Sequence, residues 1–268
     1  MLGQTAERSE RKMNDYIRIC EVEKYYGNAA NVTKAVDCVS FAVEKGEFVG
    51  VMGPSGSGKT TLLNLLATID RVTAGHIYYE DTDITELSED ALSEFRKDNL
   101  GFVFQDYNLL DTLTIEENIV LALTLQEKPK KEILTACAQI LKLLQIEDIR
   151  DQFPYQVSGG QKQRCACGRA MVNQPKLLLA DEPTGALDSR SAQILLETFT
   201  DLNREMQATI LMVTHDAFSA SYCGRILFLQ DGKIFHELMR GTKSRKVFLQ
   251  EILDVLSLTG GALSDERG

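Results

Sequence analysis

The chain has 268 residues, of which 44% are hydrophobic and 25% are charged, as in an ordinary globular protein of one or two domains. Its formal net charge of −10 argues against broad nucleic-acid binding, which needs a basic surface. No stretch approaches the roughly 18 consecutive apolar residues of a membrane span, and residues 1–12 lack the apolar segment of a signal peptide. We therefore expect a protein of the cytoplasm, or one peripheral to a membrane.

The first elements of the chain are predicted to form an antiparallel sheet, because residues 16–22 and 34–43 alternate apolar and polar side chains. Residues 24–28 between them are interpreted as a turn that carries Tyr25 and Tyr26. One of these rings can stack on a nucleotide base, an interaction of about 1–3 kcal/mol that tolerates any base. The alternative is that both tyrosines are half-buried residues at the end of a strand.

A phosphate-binding loop follows the apolar run at residues 47–52 and precedes the helical pattern that begins at Thr61. Its residues read G-x-x-x-x-G-K-[ST]: Gly53, Pro54, Ser55, Gly56, Ser57, Gly58, Lys59 and Thr60. Glycines let backbone N–H groups turn toward an anion, and the helix start adds unpaired donors. Lys59 supplies a charge for the outer phosphates, and Thr60 offers a hydroxyl to Mg²⁺.

The middle of the chain, residues 86–157, is predicted to be a helix-rich insertion. Ser88 and Thr114 are predicted N-caps, and Pro129 opens a third helix. A strand at residues 100–104 delivers Gln105 at its end. The third helix carries a one-sided apolar stripe that we expect in the core, consisting of Ile133, Leu134, Cys137, Ile140, Leu141 and Leu144.

A second helix start with adjacent glycines follows this insertion. Ser158 is placed to cap a helix that runs to residue 172, and Gly159, Gly160 and Gln161 form its first turn. Such a start can bind an anion. An ordinary capped helix is the simpler interpretation of these four residues.

Acidic residues and a histidine end two buried strands in the last third of the chain. Residues 176–180 lead into Asp181 and Glu182, and residues 209–214 lead into His215. Ligands of open α/β sheets bind at the carboxyl ends of strands, so one carboxylate can serve a metal while the other addresses a water. The following loop contains Asp188, and we expect a helix from about residue 191 to residue 205.

The end of the chain is predicted to hold a hairpin and one amphipathic helix. Asp231 and Gly232 give the two-residue turn of the hairpin, and the helix spans about residues 244–256. The six cysteines form no C-x-x-C pair, so we expect them to be packing residues.

The order of these motifs resembles the ATP-binding-cassette ATPase family over about residues 16–237. The resemblance implies the α/β fold of that family, with a mostly parallel P-loop core, an antiparallel β subdomain and a helical subdomain. It divides the chain into an extension (1–13), an ATP-binding core (14–85 and 165–237), a helical subdomain (86–164), and a C-terminal helix with a mobile tail (238–268).

The resemblance also implies roles for the motif residues. Tyr26 would stack on adenine, Gln105 would sense Mg²⁺, and Asp181 would support that ion. Glu182 would be the general base, and His215 would hold the γ-phosphate. Two further sites would act between subunits of a head-to-tail homodimer, namely Ser158 with Gly160 on the partner's ATP and Asp188 in signalling across the dimer.

Residues 61–70 and 96–110 further resemble the branch of lipoprotein-releasing, MacB-like and FtsE-like ATPases. Within that branch they look most similar to the bacitracin and antimicrobial-peptide exporters of Gram-positive bacteria. This implies an ATPase on the cytoplasmic face of the membrane that drives a separate permease with a large extracellular domain, often beside a sensor histidine kinase. Alternatives are a regulatory ATPase that signals to a kinase or cell-wall enzyme, a lipoprotein-release ATPase, and a soluble ATPase of translation or DNA repair.

Overall fold

A computed structural model describes residues 15–28 and 31–265. The strands are β1 (Asp15–Asn28), β2 (Asn31–Glu44), β3 (Phe48–Met52), β4 (Ala74–Tyr79), β5 (Thr82–Asp83), β6 (Leu100–Val103), β7 (Leu177–Asp181), β8 (Thr209–Thr214), β9 (Arg225–Gln230) and β10 (Lys233–Met239). The helices are α1 (Lys59–Leu66), α2 (Glu89–Asn99), α3 (Ile115–Leu125), α4 (Lys130–Leu143), α5 (Gly159–Met171), α6 (Ser189–Met206), α7 (Ala217–Ala220) and α8 (Arg245–Asp265). The predicted α/β class is confirmed.

The central sheet has the strand order β10-β9-β3-β8-β7-β6, in which the five strands from β9 to β6 are parallel. Strands β3 and β8 are buried along their whole length, since each has a neighbour on both edges and carries mostly apolar side chains, with threonine only at the two ends of β8. Alternate side chains point to opposite faces of the sheet. Along β7, Leu177 and Leu179 join one apolar cluster, whereas Leu178 and Ala180 join the other.

The second sheet is antiparallel, with the order β2-β1-β4-β5. The interpretation of residues 24–28 as a turn is wrong, because β1 continues to Asn28 and its tyrosines stay paired with β2. Tyr25 lies opposite Lys34, and Tyr26 lies opposite Thr33. Register shifts between Ile19 and Tyr25 interrupt the alternation, so the pattern hides the second half of the strand.

Several helix boundaries follow from side-chain caps that the sequence predicts. Ser88 caps α2, and Thr114 and Ser158 form capping boxes at α3 and α5. The prediction for α6 starts too late, because Asp188 caps that helix by accepting from the backbone N–H groups of Arg190 and Ser191, both at 3.0 Å.

The helical region packs on one face of the central sheet through α3, α4 and α5. The stripe of α4 is in the core as predicted, except that Leu134 is 49% exposed and Ile133 is partly buried. Asn118 lies fully buried at the start of α3, where its side chain bonds Leu110, Leu113 and the Thr114 carbonyl. This amide holds the loop between β6 and α3 onto the helix.

The C-terminal hairpin turns at Asp231 and Gly232, whose φ angles of 49° and 77° suit a two-residue turn. Helix α8 continues past its predicted end, and its Phe248 and Ile252 are buried. None of the described helices is long and apolar enough to cross a membrane. The predicted extension, residues 1–13, lies outside the described residues.

The cysteines divide into two groups. Cys137, Cys165, Cys167 and Cys223 are buried, and burial raises the pKa of each thiol, so these four are packing residues as predicted. Cys20 and Cys38 are exposed, and for these two the prediction is wrong. Glu21 and Cys38 both have positive φ, so local departures from regular strand geometry decide which side chains face outward.

Candidate active site

Four parallel strands bring the predicted site residues to one edge of the central sheet. The phosphate loop follows β3, and Gln105 lies two residues beyond the end of β6. Asp181 is the last residue of β7, and His215 follows β8. Because parallel strands end at the same edge, residues far apart in sequence become neighbours there.

The phosphate loop leads into α1 without a side-chain cap. Gly58 precedes the helix with φ 101°, and a Cβ there would lie 2.0 Å from the Ala35 carbonyl oxygen, so only glycine fits. The Ser57 hydroxyl is buried and has no hydrogen-bond partner, whereas Pro54, Ser55 and Gly56 are exposed. A buried hydroxyl without a partner, beside an uncapped helix start, fits an anion ligand.

Lys59 is held inside this loop. Its ammonium donates hydrogen bonds to the carbonyl oxygens of Gly53 and Pro54, both at 2.9 Å, and the residue is only 8% exposed. Burial lowers the pKa of Lys59, and the carboxylates of Glu182 and Asp181 oppose that shift. The backbone of the loop therefore fixes the position of the lysine.

Thr60 and Asp181 form the pair of oxygen donors that the sequence predicts for a metal. The Thr60 hydroxyl lies 3.4 Å from Oδ1 of Asp181. Burial is the main cause that raises the pKa of Asp181. The hydrogen bond from Thr60 lowers it, the charge of Glu182 raises it, and the charge of Lys59 lowers it. A hydroxyl and a carboxylate beside a phosphate loop fit Mg²⁺, which prefers oxygen ligands together with substrate phosphates.

Glu182 and His215 are in direct contact. Oε1 of Glu182 lies 2.8 Å from Nδ1 of His215, and its other carboxylate oxygen accepts from the His215 backbone N–H at 3.4 Å. Glu182 has φ 45°, an unusual backbone conformation for a residue with a side chain. The His215 side chain is 68% exposed, whereas that of Glu182 is 16% exposed.

The loop after Glu182 touches two other parts of the site. Gln105 lies against Gly185, where an added Cβ would be 3.2 Å from the side-chain nitrogen of Gln105. The Thr184 hydroxyl pairs with that of Ser219 at 3.0 Å, which joins this loop to the helix after His215. The loop ends at Asp188, whose role as cap of α6 was not predicted.

Tyr26 belongs to the antiparallel sheet and is 43% exposed. Its hydroxyl donates to Oδ2 of Asp70 at 2.7 Å, and the Lys24 ammonium lies 5.0 Å from its ring centroid. Burial raises the pKa of Tyr26, as does its bond to Asp70, while Thr61 of α1 lowers it. This neighbourhood links Tyr26 to the helix of the phosphate loop.

The start of α5 is separate from these contacts. The Ser158 hydroxyl accepts from the Gln161 backbone N–H at 3.3 Å, and Gln161 accepts from the Ser158 N–H at 2.9 Å. Added Cβ atoms on Gly159 and Gly160 would meet Tyr107 and Ser191. In the part of the chain that the structure describes, no hydrogen bond of Ser158 or Gln161 reaches the phosphate loop.

Comparisons with known proteins agree with this arrangement. The family model for ABC transporters matches residues 36–185. The chain belongs to the ABC transporter family. It is the ATP-binding subunit of an ABC transporter of the MacB and BceA type, and it hydrolyses ATP.

This ABC ATPase is 53% identical over 238 residues to the uncharacterized ATP-binding protein YvcR of Bacillus subtilis, covering 88% of this chain and 92% of YvcR. It is 47% identical over 244 residues to the bacitracin export ATP-binding protein BceA of Halalkalibacterium halodurans, covering 91% and 96% of the two chains. A solved dimer of the bacterial ABC transporter cassette MJ0796 is 37% identical with a TM-score of 0.77, covering 83% of this chain and 98% of that chain.

Sequence reasoning missed Asp70, the partner of Tyr26. The only signal was its place just after the helix of the phosphate loop, because its partner lies 44 residues earlier in the chain. It also missed the unpaired hydroxyl of Ser57, since the motif fixes glycine, lysine and threonine there but leaves the serine position open.

Proposed function

We propose that two copies of this ABC ATPase enclose ATP between them in a head-to-tail homodimer. The phosphate loop of one copy binds each nucleotide, and Ser158 and Gly160 of the other copy contact its γ-phosphate. Two observations support this arrangement: the start of α5 bonds to its own cap, and the similar cassette MJ0796 has been solved as a dimer. A dimer with twofold symmetry places both loops opposite both helix starts.

Binding uses groups that already lie at one edge of the sheet. Residues 53–60, followed by Thr61, would surround the phosphates, and Tyr26 would stack on adenine. Mg²⁺ would be held by Thr60, Asp181 and Gln105. When bound, the ion would neutralise charge on the phosphate oxygens.

The contact between Glu182 and His215 is the observation that supports the proposed mechanism of hydrolysis. Water attacks the γ-phosphorus, the bond to the bridging oxygen breaks, and Glu182 accepts the proton from the water. His215 holds the γ-phosphate during this step, and ADP and inorganic phosphate leave. Asp188 lies where α5 meets α6, so it is the residue that we expect to signal between subunits.

The test of the base is Glu182→Gln, which keeps the shape of the side chain and loses the proton acceptor. We expect the ATPase rate to fall by a factor on the order of 10²–10³, because general bases contribute about that much. An ATP-bound dimer should accumulate in size-exclusion chromatography. Glu197→Gln, an exposed position on α6, is the control and should keep normal activity. Normal hydrolysis by Glu182→Gln would disprove the assignment.

We further propose that the dimer acts on the cytoplasmic face of the membrane of a Gram-positive bacterium. There it drives a separate permease that exports or removes antimicrobial peptides such as bacitracin. The similarity to BceA over nearly the full length of both chains supports this substrate class. From the family resemblance, the permease would carry a large extracellular domain and work beside a sensor histidine kinase.

Deletion of the gene separates transport from signalling. Loss of resistance to bacitracin while the kinase response persists supports export or removal of the peptide. Loss of the kinase response with unchanged resistance favours the regulatory ATPase instead. Co-purification with the permease encoded beside it, followed by an ATPase assay with and without bacitracin, tests whether the peptide stimulates the complex.

A further inference from the structure

Asp70 lies just beyond the last turn of α1 and is fixed to that helix. Its backbone N–H donates to the Asn64 carbonyl at 3.3 Å. Its carboxylate accepts three hydrogen bonds, from the Lys24 ammonium at 2.6 Å, from the Tyr26 hydroxyl at 2.7 Å and from the Arg71 N–H at 2.7 Å. Burial would raise the pKa of Asp70, but these three donors outweigh it and hold the pKa below its usual value.

The end of β1 is attached to the same place by its backbone. The Thr73 N–H donates to the Glu23 carbonyl at 2.8 Å, and the Tyr25 N–H donates to the Thr73 hydroxyl at 3.1 Å. Lys24 adds a hydrogen bond to the Arg71 carbonyl at 2.8 Å. The segment that carries Tyr26 is therefore joined to the loop between α1 and β4 as well as to its own sheet.

These contacts leave the Tyr26 ring little freedom to rotate or shift. Its two ends are fixed, one at the backbone and one at the hydroxyl bonded to Asp70. Lys24, only 12% exposed, lies over one face of the ring, 5.0 Å from the centroid. Since Tyr26 is 43% exposed, the opposite face is the one available to a flat ligand.

We propose that Asp70 is a positioning residue for the nucleotide base. Its carboxylate and Lys24 hold the Tyr26 ring beside α1, where Thr61 of the first turn also interacts with the Tyr26 hydroxyl, so that one face meets the adenine. The same helix carries Lys59 and Thr60 at its start, so one rigid element sets the distance between the base platform and the phosphate loop. This inference rests on the proposed stacking role of Tyr26.

Comparing the affinities for two ligands distinguishes a role in positioning the base from a general role in supporting the phosphate loop. ADP carries the base and is not hydrolysed, whereas inorganic pyrophosphate carries only the phosphates. We expect Asp70→Ala to weaken ADP binding about tenfold, because the Tyr26 ring is no longer held in the stacking position. Pyrophosphate binding should stay unchanged, and calorimetry of the full chain with Mg²⁺ measures both.

Conservative variants make the test specific. Asp70→Asn keeps an acceptor for the Tyr26 hydroxyl and should recover most of the ADP affinity. As a single variant, Tyr26→Phe removes that hydroxyl and should weaken ADP binding. Combined with Asp70→Ala it should cause no further loss, because both substitutions remove the same hydrogen bond. Asp83→Ala is the control, since this carboxylate of the same sheet bonds Thr85 and His76 instead; it should change neither affinity.

Equal losses of ADP and pyrophosphate affinity in Asp70→Ala would overturn the inference, because Asp70 would then support the phosphate loop itself. Unchanged ADP affinity in that variant, or an Asp70→Asn variant as weak as Asp70→Ala, would also overturn it. The stacking role is tested separately by Tyr26→Ala. If that variant binds ADP normally, the proposed role of Tyr26 fails. If it binds ADP weakly while Asp70→Ala binds normally, only the positioning role of Asp70 fails.

Discussion

Two helix starts in this protein have similar sequences and opposite local structure. Helix α1 follows Gly58, which offers no side-chain cap, so its first N–H groups remain for a ligand. Helix α5 follows Ser158, which closes a capping box with Gln161. The cap uses the Ser158 hydroxyl as an acceptor, so its hydrogen can still be donated to an anion. The difference indicates that the first start binds phosphate directly, whereas the second is complete within its own chain and meets a ligand from outside.

The largest expected effect, on ATPase activity, comes from substitutions at the start of α1 and at the start of α5, made in separate variants. Lys59→Ala removes the positive charge at the start of α1. Ser158→Asp keeps the cap of the second, because Asp and Ser cap equally well, but repels a phosphate. Each variant alone should lose ATPase activity by a factor on the order of 10².

Mixing these two inactive variants tests which chain completes the site. A head-to-tail heterodimer contains one site with both defects and one intact site. An equimolar mixture should therefore recover about a quarter of the wild-type activity if the twofold dimer forms at random. Sites that are completed within a single chain would recover nothing, and that result would contradict the proposed dimer. Ser158→Ala is the matched comparison: it loses the cap and the hydroxyl but adds no negative charge, so it should lose less activity than Ser158→Asp.

An intermediate effect, on stability, is expected in the helical region that packs around α5. Asn118→Ala removes a buried amide that makes four hydrogen bonds to the loop before α3. We expect a loss of about 2 kcal/mol in the free energy of unfolding, because the backbone groups of this loop lose their partner. Urea denaturation measures the loss. An exposed amide, as in Gln139→Ala, is the control and should change stability little. A stable Asn118→Ala protein would show that the loop has other supports.

The smallest expected change in stability concerns Asp181, which lies beside the start of α1. Its pKa is raised in the folded protein by burial, so its ionised form opposes folding. This penalty is present above the raised pKa and disappears as the pH falls through the unfolded value near 3.8. At neutral pH, Asp181→Asn should raise the melting temperature of the nucleotide-free protein by about 2 °C while Mg²⁺-dependent ATPase activity is lost. The rise should shrink toward pH 4; a melting temperature that falls at pH 7 would contradict the stated cause.

The sequence predicts the phosphate-loop side well, because its residues follow continuous apolar strands and a motif with fixed spacing. Lys59, Asp181, Glu182 and His215 are found where strand ends place them. Contacts between distant segments were not predictable in the same way. The bond between Tyr26 and Asp70 depends on the register of β1 with β4, and irregularities in β1 obscure that register.

Local chemistry also limited the prediction of boundaries. Asp188 was read as a loop residue, although an aspartate before a polar helix start is a preferred cap. Leu134 was placed in the core because apolar spacing on α4 does not reveal where the buried face ends. Both errors concern which of two ordinary roles a side chain takes, and packing against other elements decides that.

Lys59 donates hydrogen bonds to two carbonyl oxygens of its own loop, those of Gly53 and Pro54. An ammonium has three N–H donors, so one remains for a phosphate oxygen, and each further phosphate contact requires an exchange with a peptide oxygen. Weakly charged anions gain little from such an exchange, whereas a polyphosphate gains much more. The loop thus favours polyphosphates over weakly charged anions, independently of any contact with the base.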